Sequence, residues 1–294
     1  MATFLELQTS LKNLTSISGT GQDTFLKQSI NDGQADFSRD INWAFLENRG
    51  SITSVADKFI YDLASDFDTI KSVIFEKNHI LTPVNWTQWI DLNTSITSGT
   101  PRYFIVKEGK LHIYPATDAV ASTTTLSAAI SSTSVTTISL TSTSGMEDRG
   151  RALIDSEVIE WQSKSSTQIL NCRRGLEGTT AATHSNGATV TERNLEYDYY
   201  KTLADLSADG DTSSVPTRYH EALVLYAAGR WYEKLGETTL AVYFFNRYNI
   251  IKAQAKNDLG AKQEQSFTTT LDDSTPRITR SNEYPEDSSL TAIA

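Results

Sequence analysis

Between Ser122 and Ser144, sixteen of twenty-three residues are Ser or Thr, and this tract separates two very different kinds of chain. Such a bias is usual in disordered linkers and stalks. Here, however, the tract is punctuated by Leu126, Ile130, Val135, Ile138 and Leu140, and the runs Ala152-Leu153-Ile154 and Val158-Ile159-Glu160-Trp161 follow it closely. Ser and Thr suit exposed strand faces and hydroxyl-capped turns. The segment therefore reads as a compact all-β module over residues 121–192, inserted into a larger body.

The body on either side has another texture. Phe4, Leu7, Leu11 and Leu14 recur at helical spacing, and after a break at Ser18–Gly21, Asp23 can cap a second helix. That helix would carry Phe25, Leu26, Ile30, Phe37, Ile41 and Phe45 and close at Gly50. From Ile52 to Pro115 short β-branched and aromatic runs alternate with turn residues, and the clearest hairpin pairs Tyr103–Val106 with Leu111–Tyr114 around Glu108 and Gly109. Leu195, Tyr197 and Tyr199 alternate as in a strand. Two apolar helices follow, from Pro216 to Leu235 and, past Gly236, to about Leu259. They are apolar on more than one face, which requires a large core or a neighbouring subunit. Tyr226, Trp231, Phe244, Phe245 and Tyr248 are the candidate contacts. The polar segment 261–294 is expected to be extended or disordered until a partner orders it, with Phe267, Leu271, Ile278 and Tyr284 as anchors. The fold class is α+β: a mainly helical body (1–120 and 193–260) with an antiparallel hairpin and sheet region, an inserted all-β domain and an extended C-terminal tail.

The catalytic leads fail on their own chemistry. Asp205, Ser207, Asp209, Gly210 and Asp211 have the spacing of half a calcium loop, but Pro216 stands where a bidentate Glu is needed. His220-Glu221 opens like a zinc-protease helix, yet Val224 occupies the second histidine's place. Glu157 and Glu160 lie three apart in a strand and so point to opposite faces, and both read as solvated. Arg173 and Arg174 read as a surface turn, and His184 as a turn residue too remote in role to activate Cys172. One cysteine and four histidines supply no thiolate metal site. The formal charge of −10 argues against a protein built to grip phosphates. The longest apolar run, Leu223 to Ala228, is far too short for a membrane span, and the N-terminus lacks the features of a signal peptide. The expectation is a protein with no catalytic centre, cofactor or metal, and with no membrane partner.

Segment order carries more information than any one motif. Ile41, Trp43 and Phe45 end the long helix; Tyr61, Asp66 and Phe67 follow; Gly99, Pro101 and Tyr103 lead into Leu111, Ile113, Tyr114 and Pro115; and Val215, Pro216, Tyr219, His220 and Leu223 open the late helices. This collinear set resembles the head-to-tail adaptor, or connector, proteins of tailed bacteriophages over residues 1–120 and 193–260. The insert, through Ala152, Asp155, Glu157, Ile159, Trp161, Cys172, Arg174, Gly175, Gly178, Thr179, His184, Gly187 and Val190, resembles a small β module that recurs in phage virion proteins. The resemblance implies a virion protein of the neck, assembled in the host bacterial cytoplasm. It also implies a ring of about twelve subunits that matches a portal and touches tail or nozzle proteins, with DNA only passing through its channel. The rival reading is a receptor- or glycan-binding tail protein acting through Trp161 and Arg174 of the insert. A cell-wall hydrolase, which would need two converging carboxylates, comes third.

Overall fold

A computed structural model describes residues 2–39, 41–76, 79–92, 98–118 and 120–271, with side chains as far as residue 259. The chain divides into two compact units, 1–46 with 203–294, and 47–202.

The first unit is helical. Helix α1 (Phe4–Thr15) opens with a reciprocal capping box between Thr3 and Glu6 and buries Phe4, Leu7 and Leu11. Helix α2 (Asp23–Arg39) buries Leu26, Ile30 and Phe37. It stops well short of Gly50, contrary to the expectation from its apolar pattern. The reason is Trp43, whose indole N–H donates to the Phe37 carbonyl at 3.1 Å and whose ring stacks on Phe37, so the chain turns back on itself.

The β unit begins with β1 (Glu47–Ile52), β2 (Ile60–Asp62), β3 (Phe67–Phe75), β4 (His79–Ile80) and β5 (Thr82–Pro83), followed by the short helix α3 (Trp86–Asp91). Strands β6 (Tyr103–Lys107) and β7 (Lys110–Tyr114) form the expected hairpin, with Glu108 and Gly109 both at positive φ as its two-residue turn demands. The insert supplies β8 (Thr123–Thr125), β9 (Thr137–Ser139), β10 (Gly150–Ile154), β11 (Glu157–Trp161), β12 (Ser163–Lys164), β13 (Gln168–Leu170), β14 (Arg173–Leu176) and β15 (Thr189–Glu192). Strand β16 (Leu195–Lys201) lies between β1 and β3 in a sheet of order β1-β16-β3-β4. A second sheet of this unit runs β2-β7-β6-β5. Gly50 sits opposite Tyr197, where a β-carbon would fall 2.3 Å from a ring carbon of that tyrosine; the glycine serves strand packing and not a helix end.

The Ser/Thr tract is ordered. Its strands join sheets β14-β11-β10-β15-β8 and β12-β13-β9 around a core of Leu126, Ile130, Ile138, Leu140, Ile154, Ile159 and Trp161, with Val135 packed at the margin. The Glu192 N–H donates to the Ser122 carbonyl at 2.8 Å, so the two ends of the insert lie side by side.

The late helices, α4 (His220–Lys234) and α5 (Thr238–Leu271), complete the helical unit. Helix α4 packs against α1, α2 and α5, which accounts for its apolar character on several faces. Gly229 lets the Phe245 ring approach where a β-carbon would stand 2.9 Å away. Helix α5 runs past its expected end near Leu259 and takes in residues that were expected to belong to an extended tail.

Candidate functional site

Two places in the structure stand out by their chemistry: an exposed apolar stripe on α5 and a buried ionic cluster within residues 155–184. On α5, Ala241, Phe244, Tyr248, Lys252 and Ala255 face inward. Phe244 stacks on Tyr232 at 5.3 Å, and the buried Tyr248 hydroxyl donates to Asp36 Oδ2 at 2.5 Å. Half-buried Tyr226 meets both Phe245 and Tyr248 edge-on, and half-buried Trp231 lies beside Phe25. Much of this anticipated aromatic set is thus engaged inside the helical unit. Leu240 is 42% exposed, and the apolar side chains of α5 left more than half open are Val242, Tyr243 and Ile250, which are 57, 52 and 58% exposed. Their spacing of one, seven and eight residues keeps them on one side of the helix. Phe267 and Leu271 fall in the last turns of α5, where side chains are not described, and Ile278 and Tyr284 lie outside the described residues.

In the insert, Glu157 is not solvated but 1% exposed. It opens β11, while Arg174 lies in the neighbouring β14 and His184 in the loop that returns to β15. The Arg174 guanidinium donates to both carboxylate oxygens at 2.6 Å. The backbone N–H groups of Gly175 and Ala182 donate to the same carboxylate at 3.0 and 2.9 Å. His184 bridges Glu157 at 2.9 Å and Asp155 at 2.7 Å through its two ring nitrogens, and its backbone pairs with Ile130. Arg174 and His184 are therefore buried members of one network and not surface-turn residues; residues distant in sequence meet here because the loop folds back over β11. Glu160 points the other way, to Arg151 and Arg173.

Burial alone would raise the pKa of Glu157, but the hydrogen bonds from Arg174, His184, Ala182 and Gly175 outweigh it and bring the group down to about 2. A carboxylate depressed in the folded state stabilises fully above its unfolded value of about 4.3, and that contribution disappears as pH falls toward the folded value. The insert is accordingly expected to resist pepsin at pH 4 and to become cleavable between residues 121 and 192 as pH approaches 2. Cleavage that starts equally at both pH values would refute this assignment.

The chemistry available here is structural. Glu157 is saturated with donors and closed to solvent, so it has no free lone pair for acid–base work. Burial pushes the Cys172 thiol up to about 11, which leaves it protonated and unreactive. Trp161 is in the core and Arg174 is bound, so neither offers the platform on which the glycan-binding reading depended. Asp211 caps its own loop through the backbone N–H groups of Ser207 and Ala208, and the buried His220 ring contacts the Val215 carbonyl at 2.8 Å. Among the described residues no group of His, Cys, Asp or Glu side chains could hold a metal ion, and no helix is long and apolar enough to cross a membrane.

A family model described as SU10 adaptor protein matches residues 2–272, which covers all of the unit 47–202 and most of the other. A search of curated proteins finds no match.

Proposed function

The chain belongs to the SU10 adaptor protein family, and from that premise we propose how its helices and its insert serve the assembly. It is a phage adaptor, a structural component of the virion that links portal and tail components. Our reading is a closed homo-oligomeric ring of about twelve copies in the neck, seated on the portal and contacting tail or nozzle proteins, with each copy using one patch against a different patch of its neighbour. The open stripe of Val242, Tyr243 and Ile250 carries this reading, because a row of exposed apolar side chains on a folded helix marks a contact with another chain. Trp231 and Phe245 would flank that contact, with Tyr226, Phe244 and Tyr248 behind it as support. Phe267, Leu271, Ile278 and Tyr284 would extend it toward the portal or tail. Each subunit brings a charge of −10, and the share of it that faces the channel would discourage DNA phosphates from sticking in transit. Negative-stain imaging of the purified protein, alone and mixed with its portal, tests the proposal. Rings or decorated portals are expected; a monomer that never binds the portal would refute it.

The insert, residues 121–192, is read as a separable module. Because the Glu192 N–H and the Ser122 carbonyl are already bonded, a two-residue turn can replace residues 123–191 with little strain on β7 or β16. The shortened protein is expected to be soluble, folded and able to bind a portal as the full chain does. Insolubility of that protein, together with an unfolded isolated insert, would show that the segment belongs to the body's core.

A further inference from the structure

Within residues 47–202 two apolar clusters share no residue. One is the insert core around Trp161; the other holds Tyr61, Val73, Phe75, Leu111, Ile113, Leu195 and Tyr197. Polar side chains join them. Arg151 of β10 donates to Glu177 Oε1 at 2.8 Å and to the Arg49 carbonyl at 3.3 Å. Arg193 donates to Glu177 Oε2 at 3.4 Å, to the Ser51 hydroxyl at 2.8 Å and to the Ser51 carbonyl. The Ser51 hydroxyl in turn donates to Glu177 Oε1 at 2.5 Å.

We propose that Glu177 is a latch: by holding Arg151, Arg193 and Ser51 at once, its carboxylate fixes the insert against β1 and closes that strand's outer edge. The proposal rests on the reading of 121–192 as an inserted module. Strand β1 is the terminal strand of its sheet, and Arg49 and Ser51, two apart, direct their carbonyls away from β16 toward the two guanidinium groups. An open strand edge invites pairing with another chain, and charged side chains that occupy its carbonyls prevent it. Arg151 is buried, and Arg193 is largely so. Without the carboxylate between them the two cations would be left close together and poorly compensated, with only Glu160 at 3.5 Å remaining to Arg151. A cleft of about 680 Å³ lined by β1, Asp62–Asp66, Tyr197, Glu177 and Arg193 borders the latch, so this side of the joint is open space and not packed core. Loss of the latch should therefore loosen the joint and leave both cores folded.

Hydrogen exchange on the full chain tests this, comparing wild type with Glu177→Gln. The amide that bonds across the joint is that of Arg193, to the Arg151 carbonyl at 2.7 Å. It is expected to exchange at least about tenfold faster, while protection in β10, β11, β16 and β3 is unchanged. Ser51→Ala, which leaves both arginines facing the carboxylate, should give the same pattern at smaller amplitude. Unchanged exchange at the joint in both variants would overturn the latch. Loss of protection in β10 and β11 together with the joint would show that insert and body are a single cooperative unit, and the module reading would fall with the latch.

Discussion

Replacing Glu157 with alanine is expected to destabilise the β insert by about 3–5 kcal/mol, enough to unfold it in much of the population. The substitution strands a guanidinium that is only 5% exposed, removes the acceptor for the Gly175 and Ala182 amides and frees one side of His184. Each of these groups was desolvated in the expectation of a partner, and the penalties fall on one small core. Glu157→Gln, which keeps the volume and one acceptor, should lie between alanine and wild type. Glu160→Ala is the control, because its carboxylate is 23% exposed, Arg173 is solvated and the buried Arg151 keeps Glu177; a clearly smaller loss, of about 1–2 kcal/mol, is expected there. Pulse proteolysis in urea, with cleavage sites mapped to residues 121–192, gives the midpoints. Equal midpoints for Glu157→Ala and Glu160→Ala would remove the keystone role.

The second large effect is expected on assembly. Val242→Asp places a carboxylate on the open stripe of α5, where the folded subunit can solvate it, so helix content and melting should hardly change. If the stripe is a subunit contact, burying that charge costs about 2–4 kcal/mol at every interface, and a closed ring repeats the penalty around its circumference. Ring formation should therefore be abolished at concentrations where wild type assembles. Phe245→Asp makes the contrast, since Phe245 lies against Gly229 inside the helical unit and its loss should lower the melting temperature. Mass photometry with circular dichroism separates the two. Normal rings from Val242→Asp would mean that the stripe faces solvent.

Local chemistry made some of this architecture legible before any coordinates. The β6–β7 hairpin was readable because two adjacent residues, Glu108 and Gly109, suffice to specify its turn. The order of the Ser/Thr tract was readable because Leu126, Ile138 and Leu140 had to be buried somewhere despite the Ser and Thr around them. The end of α2 was not, because Ile41 and Phe45 continue the four-residue spacing from Phe37 while a tertiary contact, the Trp43 ring on Phe37, ends the helix. The Glu157 network was missed for a related reason. A carboxylate and an arginine seventeen residues apart carry no local sign that they are partners. The available hint was glycine spacing: Gly175, Gly178 and Gly187 all adopt positive φ and let the loop fold back far enough for Ala182 and His184 to reach β11.

The bond between Ser122 and Glu192 has a consequence for how such chains diversify. A segment whose two ends leave its host side by side asks almost nothing of the host's geometry, since closing the gap with two residues or with seventy presents the flanking strands with nearly the same boundary. Recombination at that point could exchange one decoration for another, provided that the incoming segment also covers the β1 edge now occupied by Arg151, Glu177 and Arg193.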